Sequence, residues 1–161
     1  MLLGLLRHGV AHDACPETEF RDEPRELTDE GRRRMQIAAT GIARLDLAFQ
    51  AVVCSPFVRC VQTAEIVGSV LGVAPRIVQT LRPGLHVQGL ITLLLEYPEA
   101  EAVLVCGHQP DMSNVAADLV GGGWIEFKKG ALALIELPVL RENAGHLVAL
   151  YPPSVLRRLG G

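Results

Sequence analysis

The sequence predicts an α/β fold in which helices cover both faces of a mostly parallel β-sheet, giving a three-layer α/β/α sandwich with an antiparallel edge strand. Short unbroken apolar runs alternate with longer amphipathic segments, which is the pattern of buried parallel strands joined by helices. The length of 161 residues and the apolar content of 49% suit one buried core, so residues 1–161 are expected to form a single domain.

The first elements are a buried strand, a long loop and a helix. Residues 2–6 form an unbroken apolar run that stops at Arg7, as a buried strand does when it enters a loop. Residues 10–26 are polar and contain two prolines, which predicts a long loop of a kind that is often functional. Thr28 is the expected N-cap of a helix that ends near residue 45, since two acidic residues follow it.

A second strand and a second helix follow. The apolar run Ala51–Cys54 predicts a buried strand. Ser55 is a good capping residue, and Pro56 suits the first position of a helix. The sequence therefore predicts a helix that opens at these two residues and ends near Leu71.

The rest of the chain continues the alternation. We predict a weak strand at 76–78, a helix at 86–96, a strand at 102–106, a helix at 111–120, and paired edge strands at 131–137 and 145–151. Each helix is long enough to cross between parallel strands, and three glycines at 121–123 mark a turn.

Polar side chains follow three of the predicted strands. Arg7 and His8 end the first strand, Arg59 comes soon after the second, and His108 follows the strand at 102–106. Because the carboxyl ends of parallel strands open at one edge of the sheet, these four side chains are expected to meet there.

Two arginines and two histidines in one place suit a phosphoryl group. Arginine presents a planar fork of donors that matches phosphate oxygens, and it stays charged. Histidine is largely neutral near pH 7 and can attack phosphorus with one ring nitrogen while a backbone carbonyl holds the other. Phosphoryl transfer asks little more of a protein than positioning and charge stabilisation.

Four segments together resemble the histidine phosphatase superfamily, which has the phosphoglycerate mutase-like fold. Residues 6–9 fit its R-H-G signature, 25–31 fit R-x-L-T-x-x-G, 55–64 fit S-P-x-x-R-A-x-Q-T-A with Cys60 in place of alanine, and 105–110 fit V-x-G-H-x-P. They occur in the family's order, and the strongest likeness is to the short SixA-type phosphohistidine phosphatases.

The resemblance implies a role for each matching residue. His8 is the nucleophile that becomes phosphorylated, and Arg7, Arg59 and His108 complete the catalytic phosphate pocket. Arg25 matches the additional substrate-binding arginine of the SixA-type members. Asp22 matches their D-x-x-R pattern and is expected to orient Arg25 rather than to touch substrate.

The sequence departs from the larger relatives at residues 80–86. Mutases and acid phosphatases of this fold usually carry a glutamate there, which protonates an alcohol leaving group, and this stretch has no carboxylate. An imidazole leaves a phosphoramidate far more easily than an alkoxide leaves an ester. Hydrolysis of a phosphohistidine substrate therefore does not need the missing glutamate as proton donor. His86 is the alternative proton donor.

These observations leave three functions open. The first is dephosphorylation of phosphohistidine in a protein, the second is hydrolysis of a small phosphate ester or anhydride, and the third is phosphate binding by a catalytically silent module.

No metal or other cofactor is expected, since the histidines lack metal-ligand spacing. A net charge of −3 argues against nucleic acid and membrane partners, and the unpaired cysteines predict a cytoplasmic protein. The sequence leaves the oligomeric state open.

Overall fold

The computed structural model describes all 161 residues and contains six strands and five helices. In chain order they are β1 (Leu2–Arg7), α1 (Asp29–Ala43), β2 (Ala51–Cys54), α2 (Val58–Leu71), β3 (Pro75–Ile77), α3 (Val87–Leu94), β4 (Ala102–Gly107), α4 (Asp111–Val120), β5 (Leu132–Glu136), β6 (His146–Tyr151) and α5 (Pro153–Gly160). Short 3₁₀ turns lie at Pro16–Thr18 and Gln79–Leu81. None of the helices combines the length and apolarity that crossing a bilayer requires.

The strands form one sheet in the order β3-β2-β4-β1-β5-β6. Strands β1 to β4 are parallel, whereas β5 runs antiparallel to both β1 and β6, which confirms the predicted mostly parallel sheet. Arg7 pairs with Gly107, and Cys54 pairs with Cys106. The residues that follow β1, β2 and β4 therefore leave the sheet at the same level.

Apolar side chains pack on both faces of the sheet, as in the predicted three-layer sandwich. On one face Leu5 and Val105 belong to the same cluster as side chains of α3 and α4. On the other face Leu6 and Leu104 join side chains of α1, α2 and α5. Helices on both faces bury every central strand.

Most predicted elements lie within two residues of their observed ends, but the start of α2 was predicted wrongly. The helix begins at Val58, and Phe57 has the extended backbone of an N-cap residue. The Ser55 hydroxyl accepts a hydrogen bond from the Phe57 N–H at 3.3 Å and lies 2.7 Å from the His108 ring. Ser55 therefore shapes a turn between β2 and α2 instead of capping the helix.

Helix α5 was not predicted from the sequence. It is only eight residues long, and it packs on α1 through close approach of the two backbones. A Cβ atom on Gly41 would overlap the carbonyl oxygen of Leu156, and a Cβ atom on Gly160 would overlap that of Ile37. The helix thus depends on tertiary packing that local sequence patterns do not reveal.

Candidate active site

Three polar side chains from distant segments meet at the carboxyl edge of the sheet. The Nε of Arg59 lies 3.2 Å from Nε2 of His8, and Arg59 Nη2 lies 3.2 Å from Nδ1 of His108. The two imidazole rings are 5.6 Å apart, centre to centre. All three residues are buried, with 2–6% of their surface exposed. The structure therefore brings together the histidines and the arginine that the sequence placed at this edge.

The contacts of His8 define its protonation state. Arg59 Nε can only donate, so Nε2 of His8 accepts, and Nδ1 carries the proton that it donates to the Gly9 carbonyl at 2.7 Å. Burial lowers the pKa of His8 to about 3, and the nearby Arg59, His108 and Arg7 also lower it, although the Gly9 hydrogen bond raises it. His8 is therefore a neutral imidazole whose Nε2 lone pair faces Arg59.

Arg59 and His108 are held by further hydrogen bonds. The guanidinium of Arg59 donates to the main-chain oxygen and to Oδ2 of Asp22, both at 2.8 Å. His108 accepts from Arg59 at Nδ1, so its Nε2 donates to the Ser55 hydroxyl at 2.7 Å. His108 is thus fixed in a single tautomer.

Arg7 has a donor without a partner, and its guanidinium lies close enough to Arg59 for the two charges to interact. Its Nη1 donates to the Phe127 carbonyl at 2.6 Å, but its buried Nε has no hydrogen-bond partner. An unsatisfied buried donor costs about 1–3 kcal/mol. Burial lowers the pKa of Arg7, and the positive charge of Arg59 adds to that effect. An anion bound between the two guanidinium groups would offset the repulsion between them.

Asp22 lies between two arginines. Its Oδ1 accepts from Nη1 of Arg25 at 2.6 Å, and its Oδ2 accepts from Arg59. Partial burial alone would raise the pKa of Asp22, but the hydrogen bonds from Arg25 and Arg59 outweigh it and lower the pKa. Arg25 also donates to the His12 carbonyl at 2.6 Å. The contact with Arg25 was expected from the sequence, whereas the contact with Arg59 was not.

Three polar residues that were not predicted to belong to the site support it. Thr63 accepts from the Gly9 N–H at 3.1 Å and donates to the Arg59 carbonyl at 2.7 Å. Gln62 accepts from the Leu27 N–H at 2.8 Å, and Ser55 contacts His108. All three lie in the segment 55–64 that carried the family resemblance, so the motif itself was the signal for them.

The loop that follows β3 presents an arginine at the rim of the site. Arg82 pairs with both carboxylate oxygens of Glu23 at 3.3 and 2.9 Å, and its guanidinium lies 5.2 Å from the Phe57 ring centre. The loop is anchored where Asp111 accepts from two of its backbone N–H groups. The side chain of His86, the candidate proton donor, is exposed and makes no hydrogen bond, so the structure gives it no link to the site.

The ring nitrogen of His8 that carries no proton is covered in this structure. The Nε2 lone pair of His8 is occupied by the N–H of Arg59, and only 6% of His8 is exposed. If His8 attacks phosphorus with that lone pair, the Arg59 N–H would first have to leave it.

Comparisons with known proteins identify the family of this chain. The family model for the histidine phosphatase superfamily (branch 1) matches residues 3–83. An uncharacterised protein of Picosynechococcus sp. (strain PCC 7002) is 36% identical over 126 residues, which is 76% of this chain and 74% of that protein.

Solved structures extend the likeness to the whole chain. The protein histidine phosphatase SixA complexed with tungstate has a TM-score of 0.83 and 28% identity, covering 97% of this chain and 99% of that one. The alpha-ribazole phosphatase of Shigella flexneri shares the fold, with a TM-score of 0.74, 19% identity and coverage of 95% and 97%. The chain belongs to the histidine phosphatase superfamily, branch 1.

Proposed function

We propose that this chain is a phosphatase that forms a covalent phosphohistidine at His8 and dephosphorylates phosphohistidine in a protein. One observation carries the proposal. The His8 ring is neutral, its Nδ1 is fixed by the Gly9 carbonyl, and its Nε2 faces a guanidinium group. A histidine that served only to bind phosphate would gain from a positive charge, which burial here suppresses.

The reaction has two displacements at phosphorus. Arg7 and Arg59 bind the phosphoryl oxygens, Nε2 of His8 attacks phosphorus, and the bond from phosphorus to the substrate's imidazole nitrogen breaks. The leaving nitrogen takes a proton from solvent. Water then attacks the phosphohistidine, the bond from phosphorus to Nε2 breaks, and inorganic phosphate leaves while the water's proton passes to solvent. His8 returns to its neutral state.

The carboxylates around the site support a phosphoramidate substrate. Asp22 is bound by two arginines, Glu23 by Arg82, and Asp111 by two backbone N–H groups. The hydrogen bonds from Arg25 and Arg59 lower the pKa of Asp22, which makes it a poor proton donor to an alkoxide. An imidazole leaving group does not depend on one.

A second candidate is hydrolysis of a small phosphate ester. The fold is shared with an alpha-ribazole phosphatase, and one carboxylate near the site is unengaged. Glu126 is exposed, makes no ion pair, and lies close enough for its charge to offset part of the lowering of the Arg7 pKa. Glu126 would be the proton donor in that case, so Glu126→Gln would reduce ester hydrolysis without changing phosphoramidate hydrolysis.

Rapid quenching with a substrate panel tests the proposal. Wild-type protein mixed with a ³²P-labelled phosphohistidine peptide should form a phosphoenzyme that is lost in acid and stable in alkali, and His8→Ala should form none. Tungstate, which SixA binds, should compete as a phosphate mimic. Faster turnover of sugar phosphates than of phosphohistidine would favour the second candidate. Phosphate binding without turnover of any donor would instead make the chain a silent binding module.

The proposal includes the cellular compartment of the protein and the kind of partner it acts on. The four cysteines are free, as in a reducing compartment, and we propose that the protein acts in the cytoplasm. The proposed partner is a phosphorylated protein, and nothing in the site points to nucleic acid.

A further inference from the structure

A positively charged groove runs along the junction of α1 and α5 and reaches the backbone next to His8. Its inner part is a cavity of about 120 Å³, and its outer part is a cleft of about 460 Å³. Arg34 and Arg157 line both parts, so the two lie side by side. We call this feature the α1–α5 groove and define it by Gly9, Gly130, Arg33, Arg34, Lys129 and Arg157.

The inner end of the α1–α5 groove is built from residues that bind His8. The Gly9 carbonyl accepts the hydrogen bond from Nδ1 of His8. The N–H of Gly130 lies 3.1 Å from the carbonyl oxygens of both Arg7 and His8. The inner end of the groove therefore contacts Gly9, the residue next to the proposed nucleophile.

The groove is positive although the whole chain has a net charge of −3. Arg33 and Arg34 both bind Glu30, at 2.8 and 2.6 Å, so these three side chains leave one positive charge. Lys129 and Arg157 also line the groove, and neither side chain has an ion pair or a hydrogen bond. Anion binding by an acidic protein requires such a local cluster.

We propose that the α1–α5 groove docks an acidic segment of the phosphoprotein substrate. This inference rests on the proposed function, because the segment would flank the phosphohistidine that enters the site. A protein segment fits better than a single small anion, since the charges are spread along an open groove. The side chains of Arg33 and Arg34 are 65% and 47% exposed, and charges of that exposure give weak contacts that guide association.

Two matched peptides and two matched double variants test the proposal. One peptide carries a phosphohistidine flanked by four glutamates, and the other replaces them with glutamines. Lys129→Ala with Arg157→Ala removes two charges from the groove. Lys128→Ala with Arg158→Ala removes two charges from neighbouring exposed residues that do not line it.

The groove variant should lower kcat/KM for the glutamate peptide about three- to tenfold, as the loss of two exposed ion pairs predicts. The decrease in kcat/KM should come from a higher KM and should disappear at high salt. It should be absent for the glutamine peptide and for phosphoramidate. The control variant should match wild type with all three substrates.

Three results would overturn the inference, and they separate it from the proposed function. If the wild type and the groove variant hydrolyse the two peptides at the same rates, the groove does not dock the substrate, and the phosphatase proposal is unaffected. Inhibition of phosphoramidate hydrolysis by tripolyphosphate in wild type, but not in the groove variant, would assign the groove to a small anion. Failure to hydrolyse either peptide, with turnover of a sugar phosphate, would overturn the proposed function and this inference with it.

Discussion

Arg59 donates a hydrogen bond from its Nε to Nε2 of His8 at 3.2 Å. The guanidinium group therefore contacts the nitrogen that we propose attacks phosphorus. On its other side, the same guanidinium donates to the main-chain and carboxylate oxygens of Asp22, both at 2.8 Å. Arg59 is thus held by Asp22 while its Nε–H occupies the Nε2 lone pair of His8. In the proposed reaction, Arg59 would both bind an oxygen of the phosphoryl group and orient the imidazole.

Removal of Arg59 should be among the most damaging changes in the site. Arg59→Ala should lower kcat/KM for phosphoramidate by about 10²–10³, the loss typical of one well-placed donor to a developing negative charge. Arg59→Lys should restore only part of it, because an ammonium group cannot donate to His8, Asp22 and an oxyanion in the fork geometry of a guanidinium. Arg32→Ala, which removes an exposed arginine paired with Glu26, is the control and should keep full activity. Wild-type rates in Arg59→Lys would contradict this role.

Asp22 should act through the arginines rather than on the substrate. Asp22→Ala leaves Arg25 and Arg59 without their carboxylate partner, so we expect kcat/KM for phosphoramidate to fall about tenfold, as for a charged hydrogen bond of about 1.5 kcal/mol. Asp22→Asn keeps one side-chain acceptor and should recover part of the loss. A purely structural role would lower the melting temperature of both variants without separating their rates. Equal rates in the two variants would therefore count against positioning.

Folding stability should fall below neutral pH because His8 is buried as a neutral ring. The unfolded chain binds a proton at His8 near its ordinary pKa of 6.5, whereas the folded chain does so only near 3. Between these values the unfolded state holds the extra proton, so stability decreases as the pH falls. From pH 6.5 to 5 the expected loss is about 2 kcal/mol.

Urea unfolding of wild type and His8→Asn checks this expectation. Asparagine keeps a donor for the Gly9 carbonyl but does not titrate, so the variant should gain stability relative to wild type as the pH falls from 6.5 to 5. Parallel stability profiles for the two proteins would show that His8 titrates normally. The same lowered pKa predicts that protonation of His8 does not reduce phosphatase activity anywhere between pH 5 and 8.

The convergence of His8 and His108 could be predicted because it follows from strand order and register. Two unbroken apolar runs mark β1 and β4 as buried strands, and parallel pairing places Arg7 opposite Gly107. The residues after them must then leave the sheet side by side. The start of α2 was predicted wrongly because it depends on a tertiary contact. The Ser55 hydroxyl could either cap a helix or form a turn beside His108, and only the position of His108 decides between the two.

The contact between Asp22 and Arg59 could not be predicted in the same way. The loop from residue 10 to residue 26 has no hydrophobic period, and its path is set by tertiary contacts. The Glu23 carbonyl accepts from the Val58 N–H, which fastens the loop to the start of α2. Local patterns describe neither that hydrogen bond nor the ion pair of Glu23 with Arg82.

The packing of α5 on α1 should depend on the absence of a side chain at Gly41. A Cβ atom there would overlap the carbonyl oxygen of Leu156, so Gly41→Ala should force the two helices apart and lower the free energy of unfolding by about 1–3 kcal/mol. Gly89→Ala in α3 is the matched control, because its Cβ would lie 3.3 Å from the Thr80 methyl carbon, which allows a small adjustment. Better helix propensity should leave that control as stable as wild type or up to about 1 kcal/mol more stable. Chemical denaturation measures both changes, and a Gly41→Ala variant as stable as wild type would show that α5 does not need this close approach.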